Sequence, residues 1–295
     1  MAGAWVATVG QGLWQSDDLE HWRQPADLPP DARLYALAGP PGVAGGDGAV
    51  WVQSGTGWMR RALPDPDLQV WSLALDPRAP GTLYAGCRPL ALLRSQDVGV
   101  SWETLPLALP PETPRPHTPR VTSILVEATA LRCGIEVGGV FRSENGGKHW
   151  TADNEGLPSL DVHALLRGAD GALLAALPTG VARQETRWSA SDLRAPWRTY
   201  CRALAATDDA LLCGFGDGPP GRRGAVAVSE DGGRSWGSAL FPGVAESTVW
   251  SLDADGSEAV AGAIGGEVFV SEDAGRTWRR LARRFGEIRA VRSTL

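Results

Sequence analysis

Seven four-residue stretches carry the side chains best suited to hold a ligand. They are Leu34-Tyr35-Ala36-Leu37, Val70-Trp71-Ser72-Leu73, Val121-Thr122-Ser123-Ile124, Val162-His163-Ala164-Leu165, Cys201-Arg202-Ala203-Leu204, Val249-Trp250-Ser251-Leu252 and Ile288-Arg289-Ala290-Val291. Their first and fourth positions are aliphatic apart from one cysteine, and the third is always Ala or Ser. Only the second position varies freely: Tyr35, Trp71, Thr122, His163, Arg202, Trp250 and Arg289. Arginine donates paired hydrogen bonds to a carboxylate or phosphate, and tryptophan offers a stacking wall. Brought together, these seven side chains form a cup for a polar or anionic ligand. The plain alternative is that they cap strand ends and plug a channel. Arg88 and Glu136, each following a strand, could add polar groups to such a cup, as could Asp217, Arg222 and Arg223. The Pro-rich stretch 105–120 brings Glu112, Arg115, His117 and Arg120, and a connection of that length often carries function.

Other chemistries find little support in the residues. Of four histidines, His21 and His149 each directly precede a tryptophan of a turn motif described below, leaving His117 and His163. Two are too few for a zinc or copper centre without carboxylate help, so no metal is expected. Lys148 is the only lysine and lies in a turn, against a Schiff-base mechanism. The glycine-rich run 42–48 lacks the Lys-Ser/Thr that would make it a phosphate loop. We expect no cofactor. A net charge of −6 argues against a broad nucleic-acid surface. The start of the chain has no basic region before its apolar residues, and no run is long enough to span a membrane. Cys87, Cys133, Cys201 and Cys213 show no Cys-x-x-Cys spacing and read as buried free thiols. A soluble, cytoplasmic monomer is the expectation.

The elements that must position the cup are announced by a second repeat. An octapeptide with Ser, then Asp or Asn, then Gly, then Trp occurs four times. Its defining residues are Ser95, Asp97, Gly99 and Trp102; Ser143, Asn145, Gly147 and Trp150; Ser229, Asp231, Gly233 and Trp236; and Ser271, Asp273, Gly275 and Trp278. The hydroxyl and carboxylate suit a turn closed on backbone N–H groups, the glycine supplies positive φ, and the tryptophan anchors the outgoing strand. Repetition around a ring argues for a structural role. Weaker echoes precede Trp22, Trp58 and Trp188, and the seven tryptophans are spaced 36, 44, 48, 38, 48 and 42 residues apart. A strand-rich repeat of 40–50 residues indicates a propeller, and 37 glycines with 22 prolines suit many short strands. The fold class is therefore all-β: a seven-bladed β-propeller of four-stranded antiparallel blades spanning 1–295 as one domain. Blades are expected at 34–69, 70–110, 121–161, 162–198, 200–243 and 247–287. The seventh is formed by 288–295 with 1–33, so pairing of the C-terminal strand with the N-terminal blade closes the ring and removes exposed sheet edges.

The four octapeptides resemble the Asp-box, or BNR, repeat. The stretches 138–143 (Gly-Gly-Val-Phe-Arg-Ser) and 154–158 (Asn-Glu-Gly-Leu-Pro) also look like the bacterial propellers that include photosystem II assembly-factor-like proteins. The same box occurs in sialidases, sortilin-type receptors and xyloglucanases, so the resemblance covers nearly the whole chain and specifies fold rather than function. It implies that the boxes lie on the face opposite the ligand site. It also implies a non-catalytic propeller whose mouth holds a peptide or protein segment, a small anion or a glycan. The alternative is a sialidase-like or other glycoside hydrolase at the same mouth. That enzyme would need Tyr35 as nucleophile with Glu136 as partner and Arg202 and Arg289 as carboxylate clamps. The sialidase Arg-Ile-Pro signature is absent, and a lyase or cyclase in the same cup stays open.

Overall fold

The computed structural model describes residues 3–111, 113–114, 116–194, 197 and 199–294. It is a seven-bladed β-propeller of antiparallel sheets. Blade 1 runs Leu34–Ala38, Val43–Gly46, Ala49–Ser54, Gly57–Ala62, and blade 2 runs Gln69–Leu75, Leu83–Arg88, Ala91–Ser95, Glu103–Leu105. Blade 3 is Arg120–Val126, Leu131–Glu136, Gly139–Ser143, Thr151–Ala152; blade 4 is Ala164–Arg167, Leu173–Leu177, Gly180–Gln184, Trp188–Ala190. Blade 5 is Tyr200–Ala206, Leu211–Gly216, Gly224–Ser229, Ser235–Ser238, and blade 6 is Val249–Asp255, Glu258–Ala263, Val268–Ser271, Arg279–Arg280. Blade 7 combines Glu287–Ser293 with Ala4–Val9 and Leu13–Ser16, and its outer strand is reduced to one backbone pair, Gln15 with Arg23. An unforeseen strand, Asp192–Leu193, leaves blade 4 and adds in parallel to the edge of blade 5.

The termini clasp as the pattern requires: Ala4 faces Ser293, Val6 faces Val291 and Val9 faces Glu287. The core is a ring of interfaces between blades. Val43 and Val52 of blade 1 pack with Val70, Leu83 and Leu93 of blade 2, and Val260 and Val270 of blade 6 pack with Val6 and Ile288 of blade 7. Glycine makes this approach possible. A Cβ at Gly86 would lie 2.6 Å from Val121 of the next blade, at Gly134 2.8 Å from Val162, and at Gly214 2.8 Å from Val249. The first residue of five of the seven tetrapeptides, Val70, Val121, Val162, Val249 and Ile288, thus fills a hollow that a glycine leaves in its neighbour.

The octapeptides form one turn. Ser229 Oγ accepts from Gly233 N at 2.8 Å and donates to Asp231, whose carboxylate accepts from the Ser235 N–H and hydroxyl. Asp97 and Asp273 repeat this bonding with Ser101 and Thr277. The weak echo at Ser16 works as a fifth turn: Asp18 accepts from His21 N, and Trp22 Nε1 donates to Leu19 O, as Trp150 does to Gly147 O. The other two echoes differ. Ser54 pairs directly with Gly57 in a tight hairpin, while Trp188 donates its indole N–H to Asp153 O. Among the described residues no helix is long and apolar enough to cross a membrane.

Candidate functional site

A repeated irregularity positions the cup. In blade 2, Val70 pairs with Cys87 but Ser72 pairs with Gly86, so Trp71 is an extra, unpaired residue. The same bulge falls on Tyr35, Thr122, Arg202, Trp250 and Arg289. A bulge bends the strand and re-aims its side chain. Here it turns the one variable residue of each tetrapeptide into the central channel. His163 precedes its strand and reaches the channel without a bulge, its N–H bonded to Ala176 O. All seven residues line one cavity of about 260 Å³, with the third and fourth tetrapeptide positions below them. The small third residue also stitches blades together, since Ser72 Oγ donates to Val121 O and Ser123 Oγ accepts from Leu165 N. In blade 2 Leu75, Leu83 and Ser95 share one end, and Gln69 and Arg88 the other. The octapeptide turn therefore lies opposite the cup.

Arginines and indoles alternate across the mouth. Arg120 lies 3.9 Å over Trp71 and Arg202 lies 4.1 Å over Trp250. Arg289 sits between the two rings, 5.3 Å from Trp71 and 4.6 Å from Trp250. Tyr35 stacks on the far side of Trp71 at 4.8 Å. Burial pushes the Arg120 and Arg289 guanidiniums below the usual arginine range, although both remain charged at neutral pH. Their acceptors are few. Arg120 pairs with buried Glu136 (Nη2 to Oε1 2.6 Å), Arg202 meets the same Oε1 only at 3.4 Å, and Arg289 pairs with Glu287 at the solvent edge. Arg289 keeps a buried Nε–H with no acceptor. Donors exceed acceptors around Trp250, the arrangement that an incoming carboxylate or phosphate would satisfy.

The sequence-selected residues do not all meet. Tyr35 and Glu136 are not partners: the Tyr35 hydroxyl donates to Asp47 and accepts from Arg33 and Gln69, whereas Glu136 is held by Arg120 and Arg202. Burial pushes the Tyr35 phenol up, with Asp47 adding to the shift. The Tyr35–Glu136 pair expected of a sialidase is thus not formed; the carboxylate that accepts from the phenol is Asp47. Thr122 spends its hydroxyl on Val162 O. Arg88 ends the second strand of blade 2, outside the channel cavity. His117 is exposed on the Pro-rich strap 105–120. Asp217 does not reach the cup but folds back to accept from the N–H groups of Arg222 and Arg223. Glu112 and Arg115 lie outside the described residues.

Sequence reasoning underrated one participant and missed others. Arg120 was only one of several strap charges, yet buried Leu107 and Leu109 pin the strap so that Arg120 enters the mouth. Asp161 carried no signal, and its position just before a tetrapeptide was the only clue. Pro219, Pro220, Ile264 and Phe285 form an apolar groove of about 570 Å³ that runs onto Trp250 and Arg289. Glu136 is followed by Val137 at φ +57°, a conformation that a β-branched residue rarely adopts. Glu136, Asp161 and His163 present three ligand atoms within 4.8 Å of one another. The carboxylate help that two histidines required is present beside His163.

No protein-family model matches the chain, and no curated protein matches it. Solved structures do. YCF48 bound to a D1 peptide superimposes with a TM-score of 0.61 at 19% identity, over 85% of this chain and 82% of that one. YCF48 from Cyanidioschyzon merolae gives 0.62 at 16% identity, over 88% and 89%. Virginiamycin B lyase from Staphylococcus aureus gives 0.66 at 13% identity, over 85% of each chain. At these identities the likeness is one of fold: the chain is similar to peptide-binding and lyase propellers alike.

Proposed function

We propose that this chain is a non-catalytic propeller of the Asp-box kind that holds an anionic peptide or protein segment in its channel mouth. The observation that carries the reading is the Arg202–Trp250–Arg289 stack, with its buried donor lacking an acceptor. A carboxylate between the two guanidiniums gains charge-assisted hydrogen bonds in a partly desolvated place, where they are roughly twice as strong as neutral ones. The adjoining apolar groove then receives the neighbouring apolar side chain of the segment. Likeness in fold to a propeller bound to a D1 peptide supports the class of ligand. The hydrolase reading is less favoured, since the Tyr35 hydroxyl donates to Asp47 while Glu136 is held by Arg120 and Arg202.

The test is fluorescence anisotropy with two labelled pools of random heptapeptides, one with free C-terminal carboxylates and one amidated. The free-acid pool is expected to bind wild type more tightly, and Arg289→Gln to weaken it at least tenfold, a loss of about 1.4 kcal/mol. Equal binding of both pools, or no effect of Arg289→Gln, would overturn the assignment.

A further inference from the structure

Beside the donor-rich part of the mouth, joined to it through Arg202 and Glu136, lies a cluster of acceptors. His163 is fully buried at its side chain. Its Nδ1 lies 2.6 Å from Cys201 O. A carbonyl can only accept, so Nδ1 carries the proton, and Nε2 of the neutral ring presents a lone pair. Yet Nε2 faces Asp161 Oδ1, another acceptor, at 3.4 Å, and neither atom has a hydrogen-bond partner. Glu136 Oε2 also has none: Arg120 Nε approaches it to 2.5 Å without hydrogen-bond geometry. Two buried acceptors facing each other without a donor, His163 Nε2 and Asp161 Oδ1, are costly unless something positive sits between them, and a carboxylate oxygen of Glu136, itself held by Arg120, lies within 4.8 Å of both residues' ligand atoms.

We propose that Glu136, Asp161 and His163 bind a divalent first-row transition-metal ion at the channel mouth. The spacing distinguishes this from an ammonium group. Ligands about 2.1 Å from a tetrahedral ion stand about 3.4 Å apart, which is the Asp161–His163 separation. Acceptors around an ammonium, at about 2.9 Å each, would stand about 4.7 Å apart. Glu136, with an oxygen within 4.8 Å of the other two ligand atoms, is the arm that closes on the ion. The surroundings are those of metal ligands. The ligating histidine donates its other ring N–H to a backbone carbonyl, and a ligating carboxylate is held by guanidiniums. One imidazole and two carboxylates leave at least one coordination position open toward the mouth. This site does not depend on the peptide-binding reading, because its donors are other atoms than those of the Arg202–Trp250–Arg289 stack.

Protein stripped with chelator and titrated with Co²⁺ tests the site by two readouts, calorimetric stoichiometry and the visible absorption of low-coordinate Co²⁺. The expected result is one equivalent bound, visible bands that Zn²⁺ displaces, and affinity weakened at least 100-fold in both Asp161→Asn and His163→Gln. His149→Ala, which removes an exposed imidazole on a distant turn, should leave binding unchanged. Matching thermal midpoints of wild type and Asp161→Asn in chelator would show that the variant folds. Were Asp161→Asn unfolded, Glu136→Gln gives the same reading from a second ligand. Absence of Co²⁺ binding to wild type at millimolar concentration, or equal binding by the ligand variants, would overturn the proposal. Loss of Co²⁺ binding with peptide binding intact, or the reverse, separates this inference from the functional one.

Discussion

At the scale of single residues, function concentrates in the one position of each tetrapeptide that packing leaves free. The flanking residues fill glycine hollows or stitch blades together, so only the bulged residue is available for a ligand. That contrast was legible in the sequence. Arg120 and Glu136 were legible only as charges at the edge of the cup, and Asp161 not at all, because they come from a strap, a strand end and a linker rather than from the repeat register. Arg202 and Glu136 are 66 positions apart and meet only because the ring brings inner strands to one axis. Two substitutions separate packing from recognition. Tyr35→Phe removes a hydroxyl bonded to Asp47, Arg33 and Gln69. It should cost about 1 kcal/mol of unfolding free energy in denaturant titration and leave peptide affinity nearly unchanged. Trp71→Ala removes the platform under Arg120 and should weaken the free-acid peptide roughly tenfold, the ~1–2 kcal/mol of a desolvated cation–π contact.

At the scale of elements, the octapeptide turn was legible in full because its hydrogen bonds are local. Its fifth copy at Ser16 was underrated, since the deleted residue hides a geometry that Asp18 and Leu19 still achieve. The bulge and the glycine hollow were not legible, because both depend on a strand of another blade or on register. Gly214→Val would drive a side chain into Val249 and should destabilise by about 1–3 kcal/mol or more, read from chemical unfolding. Ser229→Ala leaves Gly233 N without its buried acceptor and should cost about 1–2 kcal/mol by the same measurement. The turns also set acid stability. Bonds from the Ser101 hydroxyl and N–H lower the Asp97 carboxyl from 3.8 to about 2. At Asp231 burial acts the other way but is outweighed by the Ser235 hydroxyl and N–H, again giving about 2. A depressed folded value means that the stabilisation is complete above the unfolded value near 3.8 and is lost as pH falls through about 2. Thermal midpoints should therefore hold down to about pH 4 and drop steeply between pH 4 and 2. A flat profile across that window would show that the turn carboxylates contribute nothing.

At the scale of the molecule, sevenfold closure was readable because the chain begins with second-strand material and ends with an inner strand lacking its blade. Less readable was how the seventh blade manages its outer position, since one backbone pair, Gln15 with Arg23, replaces a strand. Truncation after Gly286 removes Ile288, Ala290 and Val291, all buried, and leaves Ala4–Val9 with an unpaired edge. The midpoint should fall by roughly 10 °C or more, or the protein should aggregate through that edge. Closure also creates the site, because it alone brings Arg289 beside Trp71. The central claim is that the seven bulge-borne and adjacent side chains form one anion-binding mouth. A crystal structure of the chain with a bound free-acid peptide tests it most directly. The expected result is a carboxylate between the guanidiniums of Arg202 and Arg289, with an apolar side chain against Pro220 and Ile264. A peptide seated on the octapeptide face or along an outer strand, with the mouth unchanged, would contradict the account.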